Sequence, residues 1–330
     1  MNSKFKILLT IFLAGILLSL GIAVFSQICG KKDIEFDVYK KGIYVVSIDA
    51  KYFADNSDIY VPETLETVEE AAEKNYAKVA INAGFFDPNN GKTISYILKN
   101  NNIIENPENN ERLTQSEELK PYLEKIYNRS EFRNMSCWCP TGLQELKFGG
   151  CDKYAKIKKI PQWSEIPTQS PVWAFVHTEF DIKQHKESLE EYPDMEKCAL
   201  TYSIQAGPEL VPNFDLEDEF FVFKKDKKVM RESASALHKT ARSAIGIKND
   251  RILLVAVSNQ NPMTLEKLSD FMKSLGVEKA MAFDGGSSTS LYVNTYSYSR
   301  AGNYLPEEKL ILNSAKDDSA RRVKSVLIVK

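Results

Sequence analysis

An α+β domain, with a mixed β-sheet and packed helices behind an N-terminal membrane segment, is the fold class this sequence predicts. Three observations predict it. Short apolar runs end in polar residues, capped amphipathic helices lie between some of them, and one long uncharged run is confined to the first thirty residues. The 330 residues are 43% hydrophobic and 27% charged, which is enough chain to bury a sizeable core. The formal net charge is −2 and no Lys/Arg cluster stands out, so no nucleic-acid partner is expected.

The opening segment differs in kind from the rest. Lys4 and Lys6 precede an uncharged run from Ile7 to Ile28, long enough to cross a bilayer as one helix. The two lysines favour a cytoplasmic N-terminus, so the remainder is expected to be exported. Residues 1–28 are therefore read as a signal peptide or membrane anchor, the anchor being preferred, and 29–41 as a connector. Residues 42–330 form the folded domain. It faces the periplasm or cell exterior, or is secreted if the segment is cleaved after Ser26.

Export governs the cysteines. Cys137, Cys139, Cys151 and Cys198 permit two disulfides in an oxidising compartment, with connectivity open. Zinc competes, since three of these thiols lie within fifteen residues, but Cys-x-Cys is tighter than the usual zinc knuckle. Asn128-Arg129-Ser130 and Asn134-Met135-Ser136 fit the glycosylation acceptor pattern, which matters only in a eukaryotic secretory route.

Within the domain, "GIYVVSID" from Gly42 is the first strand. "TVEEAAEKN" is a helix whose Thr67 and Glu70 have capping-box spacing, with Val68, Ala71 and Ala72 on one face. It delivers the chain into "YAKVAINAGFFDP", where Val79 to Ile81 form a buried strand ending at Asn82 and Gly84 follows. From about Asn100 to Ile160 the composition turns to Asn, Glu and Lys. This segment reads as a cysteine-containing insertion, partly helical around Ser116 to Tyr127 and held by disulfides. "ALTYSIQAGPELV" runs from strand to turn, and "ARSAIGIKNDRILLVAVSN" is a hairpin turning at Asn249 and Asp250. A helix follows, capped by Thr264, striped by Leu265, Leu268, Phe271, Met272 and Leu275, and ended by Gly276. It hands the chain to "AMAFDGGSSTSLYV": a buried strand, Asp284, two glycines and four hydroxyl residues.

Asn82, Gln205, Arg242 and Asp284 are each polar and each lie at the end of an apolar strand, where sites are built. Singly each has a structural explanation: a turn cap, a satisfied loop, a surface cation. Together, "INAGFFDP", "IQAGPELV", "ARSAIGI" and "MTLEKLSDFMKSLGVEKAMAFDGGSSTSL", in that order, closely resemble the phosphodiester glycosidase family, in a form similar to its bacterial exported branch. The resemblance covers roughly Ile43 to Asn100 and Leu200 to Lys330. It departs from the family pattern at Ser287, where many relatives carry a third glycine, and at Ser258 to Gln260, where Asp-Gly is more usual.

The resemblance implies a single catalytic domain that hydrolyses the bond between a sugar's anomeric carbon and a phosphodiester oxygen in an exported glycan or glycolipid. A phosphomonoester leaves readily because its second pKa is ~6, so one carboxylate can suffice where ordinary glycosidases use two. Asp284 is the expected catalytic residue, as base or as nucleophile. Gly285, Gly286, Ser287 and Ser288 are expected to cradle phosphate, and Arg242 to clamp it. Asn82, Gly84 and Gln205 are expected along the sugar, with His238 nearby. No cofactor is required on this reading, and Asp284 with Asn82 leaves a divalent metal open. The alternative is a noncatalytic envelope module that binds phosphorylated glycans through the same cradle.

Overall fold

The computed structural model describes residues 32–140, 156–159, 173–186, 198–233, 235–294, 309–314 and 320–330. The chain divides into two units, 1–34 and 35–330, and the second carries the fold described below. The Ile7–Ile28 run lies outside the described residues. Among those described, no helix is long and apolar enough to cross a membrane.

Strands dominate and helices are few, as expected of the α+β class. One six-stranded sheet runs Ile34–Lys40, Ile43–Asp49, Arg251–Val257, Arg242–Lys248, Lys279–Ala282, Glu209–Val211. Its centre is the predicted hairpin, paired antiparallel from Arg242 opposite Val257 to Lys248 opposite Arg251, with Asn249 left-handed in the turn. All seven residues of Arg251–Val257 are buried, which explains a continuous apolar run rather than an alternating one. The helix Leu265–Ser274 packs on this sheet. Thr264 accepts from Lys267 N, and Leu265, Leu268 and Met272 point inward. Each such burial contributes about 1.5–3 kcal/mol. A Cβ on Gly246 would lie 2.7 Å from Met272 Cε and 2.9 Å from Val277 Cγ1, so the helix and the chain after it pack directly on this glycine.

A five-stranded sheet runs Lys309–Asn313, Ser290–Asn294, Val79–Asn82, Val326–Val329, Ser57–Tyr60. The helix Val68–Lys74 covers it with Val68, Ala71 and Ala72, and its Thr67/Glu70 capping box is complete. Val79–Asn82 lies between two antiparallel partners and is buried at all four positions.

The polar segment after Asn100 is more integrated than its composition suggests. Ser130–Pro140 pairs with Cys198–Gln205 on one side and Trp173–Gln184 on the other, inside a second six-stranded sheet. Phe132 is fully buried against Phe180 and Tyr202 of the same sheet and Phe53 from the helix Ala50–Asn56, so this part shares its core with the rest of the domain. The helical stretch narrows to a 3₁₀ turn at Lys120–Tyr122 and the helix Leu123–Tyr127.

Cys137 and Cys198 stand opposite each other across this sheet and form a disulfide. The side chain of Cys139, and all of Cys151, lie outside the described residues. The bridge spans a sequence separation of 61, a closure that is expected to stabilise the fold by about 4 kcal/mol through the unfolded chain. Replacing both Cys137 and Cys198 by Ser should lower the urea midpoint accordingly. An unchanged midpoint would show that strand pairing alone holds this sheet.

Candidate functional site

Strand ends from all three large sheets meet at Asp284. The residue follows Lys279–Ala282, and its N–H donates to Ala83 O at 2.9 Å. Phe283 N donates to Ser243 O at 2.8 Å, and Gly207 N to Ala282 O at 3.1 Å. The segments after Asn82, after Gln205 and after Ala282 therefore run side by side.

Asn82 is the fastener of this junction. It is fully buried; Nδ2 donates to Asp284 O at 2.6 Å, while Oδ1 accepts from Ser243 Oγ at 2.7 Å and Ser290 N at 3.0 Å. Its carboxamide is engaged by Asp284 and two neighbouring strands, not turned outward as a residue lining the sugar was expected to be. Gln205 is likewise reassigned. Nε2 donates to Tyr127 O and Arg129 O, Oε1 accepts from Tyr96 N, and the side chain is fully buried. A substrate hydroxyl could reach it only by breaking backbone bonds in the core.

Arg242 is 2% exposed. Its Nε donates to Met263 O at 3.0 Å, and Nη2 donates to Ser235 O and His238 O at 2.7 and 2.8 Å. The guanidinium thus ties down the loop before its own strand. Burial pulls its pKa down to about 10, opposed by the charges of Glu232 and Asp284. Arg242 therefore acts on Asp284 as a fixed neighbouring charge, not as the exposed fork its position suggested. His238 is on that loop, its side chain 75% exposed, with Nδ1 2.9 Å from Glu232 Oε1.

The glycine-serine segment also differs from the expected cradle. Gly285 donates its N–H to the Asp284 carboxylate. Gly286 N donates to Ala241 O at 2.9 Å, and Ser288 N to Gly285 O at 3.2 Å. Gly286 is left-handed (φ 61°), opening the 3₁₀ turn Gly286–Ser288. A Cβ on Gly285 would lie 3.1 Å from Ala241 O, so glycine lets this turn pack closely on the backbone before Arg242. Ser288 is buried and its hydroxyl donates to Asp284. Ser287 alone is exposed and keeps its N–H and hydroxyl for solvent or ligand. Gly84 is a packing glycine: its N–H donates to Ser325 Oγ at 2.9 Å, and a Cβ would lie 3.0 Å from Ser95.

The Asp284 carboxylate is half-buried, and burial drives its pKa up to about 6 against the hydrogen bonds of Ser288 and Gly285 and the charges of Arg321 and Arg242. An accessible carboxylate poised near neutrality suits general-base work. Arg321 is the participant that sequence reasoning missed. It is half-buried, lies over the Phe86 ring at 5.7 Å from the centroid, and acts on Asp284 electrostatically. No hydrogen bond from its guanidinium to protein is made among the described residues. In "SARRVKSVLIVK" only an aromatic partner and a nearby acid set it apart from Arg322, and neither is visible in one dimension.

Among the described residues, one group of three metal-ligating side chains is close enough together to hold an ion, Cys137, Glu179 and Cys198, and its sulfurs are consumed by the disulfide. Asp284 is outside it.

Fold and site together define an α+β domain with one carboxylate at a junction of strand ends, flanked by arginine. A family model described as phosphodiester glycosidase matches residues 164–330, half of the chain, and the chain belongs to that family. Several solved structures resemble it, among them these two. One is a hypothetical protein from Synechocystis, at 16% identity and TM-score 0.49, with 91% of this chain covered; the match spans 64% of that protein's length, under two thirds. The other is the zebrafish N-acetylglucosamine-1-phosphodiester alpha-N-acetylglucosaminidase catalytic domain, auto-inhibited by its pro-peptide, at 13% identity and TM-score 0.49, covering 90% of this chain and 81% of that one. No curated protein matches the chain.

Proposed function

We propose that this chain hydrolyses glycosyl phosphodiesters at the anomeric carbon, with Asp284 as the catalytic residue. The observation that carries the reading is a single accessible carboxylate, raised to about 6, between two arginines in a member of this family. Water adds to the anomeric carbon, the carbon–oxygen bond to phosphate breaks with its electron pair on oxygen, and the phosphomonoester departs. Asp284 either takes the proton from that water or attacks the carbon first and is released by water; in both routes the ionised form works. Arg321 and the Ser287 N–H and hydroxyl face the leaving phosphate, where charge grows. Asn82, Gln205 and Arg242 are positioning residues behind them. The substrate is a phosphorylated exported glycan or glycolipid, and the Ile7–Ile28 run holds the chain at a membrane, facing the periplasm or exterior.

A panel of sugar phosphodiesters hydrolysed in heavy-oxygen water tests which bond breaks. The phosphomonoester is expected to stay unlabelled, and freshly released sugar to carry the label before anomeric exchange removes it. Label in the phosphate would mean attack at phosphorus and would overturn the glycosidase reading. Tight binding of the panel without turnover would favour a phosphoglycan-binding module instead.

A further inference from the structure

A basic hairpin stands beside the site and is used by nothing described above. Val222–Lys225 and Lys228–Glu232 pair antiparallel, with Lys224 opposite Val229 and Lys225 opposite Lys228. Residues 224 to 230 are all exposed, including Val229 at 46% and Met230 at 61%. Lys224 is paired with Glu217 and Arg231 with Glu118, but Lys225, Lys227 and Lys228 have no ion-pair partner among the described residues. The turn is made by Asp226 and Lys227, both left-handed at φ 52° and 62°. Two-residue turns of this kind favour Asn-Gly or Asp-Gly. A lysine in the position that favours glycine sacrifices backbone ease and keeps a cation at the tip.

The hairpin is tied to the site through its root. Ser233 N donates to Phe221 O, and the next carbonyls, Ser235 and His238, are those that Arg242 holds. Leu237, 42% exposed, lies on the same loop.

We infer that this hairpin seats on an anionic phospholipid surface, bringing the Asp284 site to membrane-held substrate. Cations that stay unpaired fit lipid phosphate, and Val229 and Met230 beside them fit the acyl boundary just beneath. A soluble polyanion accounts for the lysines but not for the apolar pair. An apolar protein face accounts for the pair but not for the lysines. The inference rests on the membrane attachment proposed above, and its test separates the two.

The full chain is mixed with vesicles of phosphatidylcholine alone or with one third phosphatidylglycerol. Flotation reads attachment, and amine acylation followed by peptide mass spectrometry reads the hairpin. Lys225, Lys227 and Lys228 should be protected severalfold on anionic vesicles, while exposed Lys51 and Lys267 stay reactive. Changing the three hairpin lysines to Glu should weaken the anionic preference by on the order of 10²-fold, with turnover of a soluble phosphodiester unchanged. Flotation on both vesicle types with equal hairpin acylation would keep attachment and overturn docking. Flotation on neither would overturn both. Protection by soluble polyphosphate but not by anionic vesicles would also overturn docking.

Discussion

Replacing Asp284 by Asn is expected to reduce turnover by at least ~10²-fold and to leave the fold in place. The amide keeps the shape and still accepts one of the hydrogen bonds from Ser288 and Gly285, but it neither takes a proton nor attacks carbon. The stability of this variant is diagnostic. Burial raises the folded pKa of Asp284 from 3.8 to about 6, so the folded chain holds the proton more tightly than the unfolded chain does. Unfolding therefore releases a proton between about pH 4 and 6, and stability falls as pH rises across that window. Above it the ionised carboxylate leaves the native state destabilised by on the order of 2–3 kcal/mol. The Asn variant carries no such charge, so it should match the parent near pH 4 and equal or exceed it at pH 7.5 in urea denaturation. In the parent, kcat/KM should climb through about pH 6 as the carboxylate ionises. Retained turnover in the variant would remove Asp284 from the chemistry.

Replacing Arg321 by Ala should be nearly as damaging, by about 10²-fold in kcat/KM. A guanidinium over Phe86 at 5.7 Å, with no hydrogen bond spent among the described residues, is prepared for a phosphate oxygen pair. Its charge also holds the pKa of Asp284 down. The variant should consequently shift the acid limb of the kcat/KM profile to higher pH, which loss of packing alone would not do. Arg321→Lys should restore the limb better than the rate, since ammonium supplies charge without the planar fork. A profile with an unmoved limb and full activity would show that Arg321 only packs on Phe86. Arg242 provides the contrast: it holds three backbone carbonyls, so its loss should unfold the loop before it alters chemistry.

Much of this arrangement was legible in one dimension. The capped helices, the Asn249–Asp250 hairpin and the strand ends at Asn82 and Asp284 all follow from local pattern, because periodicity and caps are local physics. What a side chain does at a strand end is not local. Asn82 and Gln205 looked alike as polar residues closing apolar runs, and both face inward to backbone partners supplied from far along the chain. The Gly285–Ser288 stretch looked like an anion cradle, but the neighbouring Ala241 carbonyl and Asp284 itself absorb half of its donors, and Ser288 N–H turns back to Gly285 O. The polar composition after Asn100 concealed an eleven-residue strand, Ser130–Pro140, built into the middle of a sheet. Its pairing partners were not visible from composition.

The fastening at Asn82 also sets when the site comes into being. Its bonds reach residues 161, 202 and 208 positions further along, and Gly84 next to it waits for Ser325, 241 positions away. A chain emerging from the ribosome makes its first strands long before these partners exist. Closures of such span are slow because the loop entropy is lost before any contact rewards it. No nascent fragment short of the strand Val326–Val329 holds the finished junction around Asp284. The carboxylate acquires its raised pKa only once these late partners are in place, so the environment of Asp284 is among the last parts of the fold to form.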